Sequence, residues 1–360
     1  MRKIPVNKLK PGMVLACKVR DGRGGLLLDE DSVLNNRRIA RLKKAGISRV
    51  FIKDFMLEDV EATDFISDET REEAIKILKK AFQHLVKGSE ADLASVEAGV
   101  QKIIWEVSRN TCQMISLTDV RTCDSFIFAH SVNVCALSIY TGVLLGLTED
   151  QLRILGLGAL FHDIGKTMLD GDLLYKPGPL TDEEMAQVRK HPIAGYEILR
   201  RCADLDPLVA RVALEHHERL DGSGYPKGLK GKKIHLFSRI VAVVNVFDAL
   251  ISDRPYRRAY LPHEAAAIIE KEAESKFDPE IVRVFMENVA LYPIGTVVEL
   301  SNGEVGMVID VNKGQQARPI VRLLPPEGKK EAGEWQELDL SKQMDLYIVR
   351  VLEDQPFPDH

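Results

Sequence analysis

The sequence predicts a mainly α-helical protein, with a small α+β module before the helices and a β-rich segment after them. Apolar residues recur at helical spacing from Ser67, which is a suitable N-cap, to about residue 290. Before Ser67, short apolar runs are interrupted by Pro11-Gly12 and by a glycine-rich stretch at 22–25, which is typical of hairpins. After residue 290, Asn302-Gly303 separates two β-like runs and is a strong hairpin signal.

The N-terminal module is predicted to begin with a hairpin built from the apolar runs within residues 14–28. Ile39 and Leu42 then indicate a helix that ends at Gly46, and residues 50–52 form a further apolar run that suits a strand. This pattern resembles an α+β regulatory module, and none of its residues indicates a particular chemistry.

Two of the later helices have clear start signals. Thr148–Gln151 and Thr181–Glu184 both read as capping boxes. The most apolar long run, Val134 to Leu147, is interrupted by polar residues and is shorter than the ~20 apolar residues that a bilayer requires. We therefore interpret it as a core helix rather than as a membrane span.

The composition is that of an ordinary globular protein. The chain has 360 residues, a hydrophobic fraction of 45%, a formal net charge of −5 and a pI of about 6.0. Nothing in this balance indicates binding to a nucleic acid polymer or to a membrane surface. The N-terminus lacks the apolar run of a signal peptide, and the five cysteines have no CxxC or zinc-finger spacing. We therefore expect reduced thiols in a cytoplasmic protein.

Histidines are the residues that most clearly indicate chemistry. Five of them lie in predicted helices or at helix ends: His130, His162, His191, His216 and His217. One histidine on an apolar face is usually a core residue, but adjacent pairs such as His162-Asp163 and His216-His217 are costly to bury without compensation. Imidazole and carboxylate suit iron, manganese and zinc, and neighbouring helical residues point about 100° apart, so one pair can serve two ions. We therefore predict two metals bridged by Asp163, an arrangement suited to phosphoryl displacement.

Two further features follow these pairs, and each has two interpretations. Lys166 lies four residues after His162 and shares its face if the helix continues, but Gly165 is an alternative helix end. Near metals, this lysine would neutralise a phosphate oxygen or assist a leaving alkoxide; otherwise it complements the helix dipole. The glycine-rich loop at 218–226 is either a bare turn or a shaped substrate entrance.

The apolar helix predicted over residues 238–251 carries two polar residues, Asn245 and Asp248. Asn245 is either a hydrogen-bonded core amide or an oxygen ligand. Beyond this helix, Arg254 and Arg257 are three residues apart, and they either grip phosphates in a forked geometry or form surface ion pairs.

Taken in order, these motifs resemble the HD-GYP family of metal-dependent phosphodiesterases. They are HSVNV at 130–134, HDIGK at 162–166, KHP at 190–192, HHERLDGSGYP at 216–226 and DALISDRPYR at 248–257. The resemblance implies an HD-superfamily helical bundle at residues 107–290. A regulatory module at 1–58 and a helical linker at 59–106 precede it, and a β-rich segment at 291–360 follows it.

The resemblance also implies a role for individual residues. The implied ligands of a first metal are His130, His162, Asp163 and Asn245. The implied ligands of a second metal are Asp163, His191, His216 and His217. The implied catalytic and substrate-binding residues are Asp163, Lys166, Gly224, Tyr225, Arg254 and Arg257. The implied reaction is hydrolysis of cyclic di-GMP to the linear dinucleotide pGpG with two divalent ions, iron or manganese.

Two positions depart from the family pattern. Asn245 stands where the family usually has an aspartate, which leaves the first metal with a neutral oxygen donor. Phe126 stands four residues before His130, where members with three metals have a glutamate, so we expect two metals at most.

The alternatives to a cyclic di-GMP hydrolase are an effector that binds cyclic di-GMP and signals through a protein partner, and a phosphodiesterase for another cyclic dinucleotide. The helices within 67–109 suit a homodimer contact as well as packing on the core.

Overall fold

The computed structural model describes residues 1–20, 25–47, 49–60, 65–110, 126–174, 176, 178–252, 259–324 and 335–352. The chain divides into two compact units. The first combines Met1–Asp64 with Glu287–His360, and the second combines Phe65–Gln113 with Phe126–Met286. The predicted phosphate-binding residues Arg254 and Arg257, and the side chain of Phe126, lie outside the described residues.

The N-terminal part of the first unit contains short strands and one helix. They are β1 (Arg2–Pro5), β2 (Val19–Arg20), β3 (Leu26–Leu28), α1 (Asn36–Lys44) and β4 (Arg49–Ile52). β1 pairs with β4 and β2 pairs with β3, both antiparallel. Asn35 caps α1 because its side chain accepts a hydrogen bond from the backbone N–H of Arg38, and Leu42 of α1 is fully buried in the core. The predicted α+β module is confirmed.

The C-terminal part of the first unit is a five-stranded antiparallel sheet with the order β8-β7-β6-β5-β9. Its strands are β5 (Val297–Leu300), β6 (Val305–Asp310), β7 (Ile320–Leu323), β8 (Glu337–Asp339) and β9 (Ile348–Val351). Gly303 has a φ of +84° in the turn between β5 and β6, where glycine avoids backbone strain. The hairpin predicted from Asn302-Gly303 is therefore present.

The two parts of the first unit share one core. Met56 packs with Met307 of β6, and the guanidinium of Arg322 donates to both carboxylate oxygens of Asp59 at 2.7 Å. Sequence positions near the two ends of the chain are thus joined within this unit.

The second unit is helical. Its helices are α2 (Asp68–Val86), α3 (Leu93–Arg109), α4 (Phe126–Leu144), α5 (Glu149–Phe161), α6 (Gly171–Leu174), α7 (Asp182–Val188), α8 (His191–Leu199), α9 (Pro207–Glu215), α10 (Leu236–Ile251), α11 (Pro262–Glu272) and α12 (Pro279–Met286). Ser67 caps α2, and the capping boxes at Thr148 and Thr181 begin α5 and α7 as predicted. The mainly α fold is confirmed.

The central helix of this unit is α4. Residues Ile127–Leu144 are long and apolar enough to cross a membrane by length and composition, but 83% of this window is buried inside the protein. α4 packs against α2, α3, α5 and α10, so apolar residues on every side of it are covered. This burial matches the prediction of a core helix, and it gives His130 of α4 a rigid, dry setting.

Candidate metal centre

The candidate metal ligands lie mostly at helix ends that meet within the second unit. His162 directly follows α5, His191 is the first residue of α8, and His216 directly follows α9. His130 lies inside α4. Because α5 packs against both α4 and α9, and α8 packs against α9, these imidazoles come together at one buried point.

The apolar spacing of residues 207–217 predicts a helix over that range, which is too long at its C-terminal end. α9 ends at Glu215, because the backbone N–H of Glu218 donates to the Glu215 carbonyl and turns the chain into the following loop. His216 is therefore the C-cap of α9, and His217 begins the loop.

Asp163 lies between two pairs of imidazoles and is 1% exposed. Its Oδ2 atom is 3.3 Å from His162 Nε2 and 3.8 Å from His130 Nε2. Its Oδ1 atom is 3.4 Å from His191 Nε2 and 3.7 Å from His216 Nε2. Each oxygen of this carboxylate therefore faces a different pair of histidines.

Two sets of donor atoms meet at Asp163, and within each set the atoms lie within 4.8 Å of one another. The first site consists of His130, His162 and Asp163. The second site consists of Asp163, His191, His216 and His217. Atoms bound about 2.1 Å from one ion at 90–110° are about 3.0–3.5 Å apart, close to the spacings observed. His162 Nε2 and Asp163 Oδ1 are buried without a hydrogen-bond partner in the described part of the chain. The cluster is therefore compatible with divalent metal.

Three of these histidines are oriented by a backbone carbonyl three residues earlier. The distance from Nδ1 to that oxygen is 2.7 Å for His162, 2.7 Å for His191 and 2.8 Å for His216. Because a carbonyl only accepts hydrogen bonds, Nδ1 carries the proton and Nε2 presents its lone pair to the cluster. This tautomer is the one needed to bind a metal through Nε2.

His130 is oriented by side chains of another helix. Its Nδ1 is 2.6 Å from Oδ2 of Asp248, and its Nε2 is 3.0 Å from Oδ1 of Asn245, both on α10. The side-chain oxygen of Asn245 thus lies beside the donor atoms of the first site. In the sequence, Asp248 is a polar residue on an apolar helix, with no signal of a particular role. The spacing of three residues, which puts Asn245 and Asp248 on one helix face, was the available signal.

Burial favours the neutral form of the imidazoles. It lowers the pKa of four histidines in the cluster: His130, His191, His216 and His217. Burial also opposes the charged form of Asp163, but neighbouring groups, among them the Lys166 ammonium, outweigh it and hold the pKa of this carboxyl well below its usual value. Neutral imidazoles around an ionised carboxylate are the protonation states that ligate metals.

Lys166 contacts the Asp163 carboxylate directly. The α-helix ends at Phe161, four residues before the predicted stop at Gly165, and Lys166 lies in a 3₁₀ helix, Ile164–Met168. The predicted continuation of the α-helix through Lys166 is therefore wrong. Its Nζ atom is 2.6 Å from Asp163 Oδ2. A Cβ atom on Gly165 would lie 2.0 Å from the His191 carbonyl oxygen, so only glycine lets this segment approach α8.

The loop after the histidine pair returns to the second site. The ring of Tyr225 stacks on His217 with centroids 4.6 Å apart and 18° between the planes. The guanidinium of Arg189 lies 5.4 Å from the centroid of the Tyr225 ring. Arg189 is exposed, and sequence reasoning missed it because a single arginine before the KHP motif carries no distinctive signal.

Two residues hold this loop in place. A Cβ atom on Gly224 would lie 2.3 Å from the backbone nitrogen of Arg219, so a larger residue does not fit. The buried carboxylate of Glu218 accepts hydrogen bonds from the backbone N–H groups of Lys227 at 2.7 Å and Leu229 at 2.9 Å. Glu218 was also missed, because its role depends on the folded course of the loop.

Comparisons with known proteins agree with this architecture. Residues 109–281 match the family described as HD domain, and residues 297–358 match the KOW domain associated with HD domain. The solved structure of Bd1817, an HDG"Y"P protein from Bdellovibrio bacteriovorus, superposes with a TM-score of 0.53 at 22% identity. It covers 79% of this chain and 97% of that chain, which shows the fold.

Relatives of known name extend the similarity over the whole chain. The cyclic di-GMP phosphodiesterase PA4108 of Pseudomonas aeruginosa is 32% identical over 95% of this chain and 89% of that protein. The cyclic di-GMP phosphodiesterase response regulator RpfG of Xanthomonas campestris is 47% identical over 38% of this chain and 37% of that protein. The 3'3'-cGAMP-specific phosphodiesterase 1 of Vibrio cholerae is 33% identical over 58% of this chain and 48% of that protein.

Three findings lead to the same assignment. They are the similarity to one relative over 95% of this chain, the HD-domain match, and the buried histidine-aspartate cluster beside a Gly-Tyr-Pro loop. The chain belongs to the HD-GYP family.

Proposed function

We propose that this protein hydrolyses cyclic di-GMP to the linear dinucleotide pGpG with two divalent metal ions bridged by Asp163. The observation that carries the proposal is the orientation of the Asp163 carboxylate, which turns one oxygen toward each pair of histidines. Such a carboxylate is suited to bridge two ions in a phosphodiester-cleaving site. Relatives at 32% and 47% identity are cyclic di-GMP phosphodiesterases, which supports the substrate class.

Each ion would be held by its own set of residues. The first ion would be held by His130, His162, Asp163 and Asn245. The second ion would be held by Asp163, His191, His216 and His217. When bound, a pair of divalent ions lowers the pKa of water and stabilises negative charge on phosphate oxygens. Imidazole and carboxylate donors suit iron or manganese, which we propose as the native metals.

The protein itself supplies positive charge beside the reacting phosphate. Lys166 is already fixed by its contact with Asp163 Oδ2, so its ammonium group is held at the edge of the first site. From there it would neutralise a phosphate oxygen or stabilise the leaving alkoxide as the bond breaks. No movement of a long side chain is needed at that moment, because the lysine is oriented in advance.

The substrate would be oriented by the loop and by arginines. Tyr225 offers an aromatic face beside the second site, and Arg189 places a cation over that face. Gly224 gives this loop its close course beside Arg219. We assign phosphate binding to Arg254 and Arg257 because they match the arginines of the family motif.

We further propose a cytoplasmic enzyme that does not require a membrane or a nucleic acid polymer. A homodimer and a signalling protein partner are compatible with this function, and neither is needed for the chemistry of the site.

The direct test uses protein purified without oxygen and loaded with Mn²⁺ or Fe²⁺. We expect the wild-type protein to convert cyclic di-GMP to pGpG, which chromatography detects. The isosteric variant Asp163→Asn should give no conversion. Tight binding of cyclic di-GMP without any product from fully loaded protein would contradict hydrolysis and would favour the effector function.

A second candidate substrate is another cyclic dinucleotide, because one relative at 33% identity is a 3'3'-cGAMP-specific phosphodiesterase. Rates for cyclic di-GMP, 3'3'-cGAMP and cyclic di-AMP at equal metal loading distinguish the two assignments. A kcat/KM for 3'3'-cGAMP above that for cyclic di-GMP would replace the proposed substrate while leaving the reaction class intact.

A further inference from the structure

The histidine of α4 is supported by a chain of buried side chains that reaches a helix outside the HD-domain match. Oδ2 of Asp248 binds His130 Nδ1 at 2.6 Å, and Oδ1 of Asp248 accepts a hydrogen bond from Nδ2 of Asn133 at 3.2 Å. Oδ1 of Asn133 in turn accepts a hydrogen bond from Nη1 of Arg71. Arg71 lies on α2 (Asp68–Val86), whereas the HD-domain match begins at residue 109.

The side chains that make up this hydrogen-bonded series are all buried away from water. Asp248 is 0% exposed, Arg71 is 3% exposed and Asn133 is 7% exposed. Hydrogen bonds in such a dry setting are strong, and a member that loses its partner has no water to replace it. We therefore expect these hydrogen-bonded side chains to depend on one another.

Arg71 determines which way the amide of Asn133 points. A guanidinium only donates hydrogen bonds, so the oxygen of the Asn133 amide must face Arg71 and its NH₂ group must face Asp248. If Arg71 were absent, the amide could turn and present its oxygen to the Asp248 carboxylate. That contact is repulsive, and Asp248 would be displaced from His130.

We propose that Arg71 and Asn133 are positioning residues for the first metal site, acting through Asp248 on His130. The inference rests on the proposed metal centre but not on the identity of the substrate. Outer partners of a metal-binding histidine fix its ring and raise its basicity, and their loss typically weakens metal binding about 10–100-fold. The first site has particular need of this support, because its fourth donor is the neutral Asn245.

Among the described residues, His191, His216 and His217 of the second site make no hydrogen bond to this series of buried side chains. His191 and His216 are oriented by carbonyls three residues earlier on their own segments. Changes at Arg71 should therefore act on one metal and leave the other unaffected, which separates positioning from a general loss of structure.

The test is a calorimetric titration of metal-free protein with Mn²⁺ in the absence of substrate. The two binding steps are assigned with His130→Ala and His217→Ala. For Arg71→Met we expect about tenfold weaker binding at the first site and an unchanged constant at the second. Asn133→Leu should behave in the same way, and Arg71→Lys, which keeps a donor, should restore part of the affinity.

Thr70→Val is the matched control. Thr70 is also buried on α2, but its hydroxyl donates to Glu106 of α3 rather than toward the site. The variant loses a partly buried hydrogen bond of the same helix, and both Mn²⁺ constants should stay at the wild-type values.

A double-mutant cycle completes the test. In an Asp248→Asn background, Arg71→Met should have no further effect on the first site, because the route to His130 is already broken. Additive effects, equal weakening of both sites, or an effect of Thr70→Val as large as that of Arg71→Met would overturn the inference. Wild-type protein that binds no Mn²⁺ would instead overturn the metal centre itself.

Discussion

The two proposed metal sites share Asp163 but are built in different ways. In the second site, His191 and His216 are held by carbonyls of their own segments, so local backbone geometry sets their orientation. In the first site, His130 is held by Asp248 of α10, more than a hundred residues along the chain. His162 of the first site is also held by a carbonyl of its own segment, so the two sites differ at His130. The second site depends mainly on where helices end, and the first depends in addition on how α2, α4 and α10 pack.

The sites also differ in the electrostatic strength of their donors. Lys166 is bound to Oδ2 of Asp163, the oxygen that faces the first site, and it withdraws negative charge from that side. The proposed fourth donor of the same site, Asn245, is neutral. Oδ1, on the side of the second site, has no hydrogen-bond partner among the described residues. We therefore expect the second site to bind metal more tightly.

The largest effect is expected from Gly165→Ala, which damages both sites. The new methyl group would lie 2.0 Å from the His191 carbonyl oxygen and would force Asp163 away from α8. We expect a loss of about 3 kcal/mol in the free energy of unfolding and a fall of about 10²-fold in kcat. Thermal unfolding and turnover measure the two effects. Gly171→Ala, where the methyl group meets open space, is the control that should match wild type in both.

The next largest effects are expected from two histidine variants, each of which changes only one of the two sites. His130→Ala removes a donor of the first site only, and His217→Ala removes a donor of the second site only. Each variant should bind about one tightly held ion per chain, and hydrolysis should fall by at least about 10³-fold because both ions are needed. Metal analysis after desalting gives the stoichiometry. Two ions retained by either variant would argue against the assignment of that histidine.

Asn245→Asp should reduce the difference in metal affinity between the two sites. An ionised oxygen in place of a neutral one should tighten the first site about tenfold, while the second site keeps its affinity. The rate should rise at limiting metal and change little at saturation. Mn²⁺ titration of the series Asn245→Ala, wild type and Asn245→Asp measures this trend. Identical constants across the series would show that residue 245 does not face the metal.

The smallest effect is expected from Arg189→Ala, which alters neither metal site. Loss of the cation over Tyr225 should raise KM for cyclic di-GMP about three- to tenfold while kcat and metal content stay near wild type. Arg200→Ala removes an exposed arginine that pairs with Glu197, and it serves as the control for a general change in surface charge. Equal KM values for the two variants would show that Arg189 does not contribute to substrate binding.

The difference between the sites also explains how much the sequence could predict. His191, His216 and His217 were identified because they stand at helix ends in recognisable motifs, and helix ends follow from local signals. The exact end of α9 was missed by two residues, because the turn that stops it depends on the loop holding Glu218. The capping boxes and the hairpin at Gly303 were predictable for the same local reason.

The support of the first site was not predictable in this way. Arg71, Asn133 and Asp248 lie in three separate helices, and each alone looks like an ordinary polar residue on an amphipathic or apolar helix. Only the packing of those helices brings the three side chains together. The same holds for Arg322 and Asp59, which are joined within the first unit from distant parts of the sequence.

The most direct test of the two-metal account is the rate of cyclic di-GMP hydrolysis measured while Mn²⁺ is added stepwise to metal-free protein, with bound metal counted at each step. We expect the first equivalent to fill the second site with almost no turnover. Hydrolysis to pGpG should then rise with the second equivalent as the first site fills. Full turnover at one ion per chain, or no turnover with two ions bound, would contradict it.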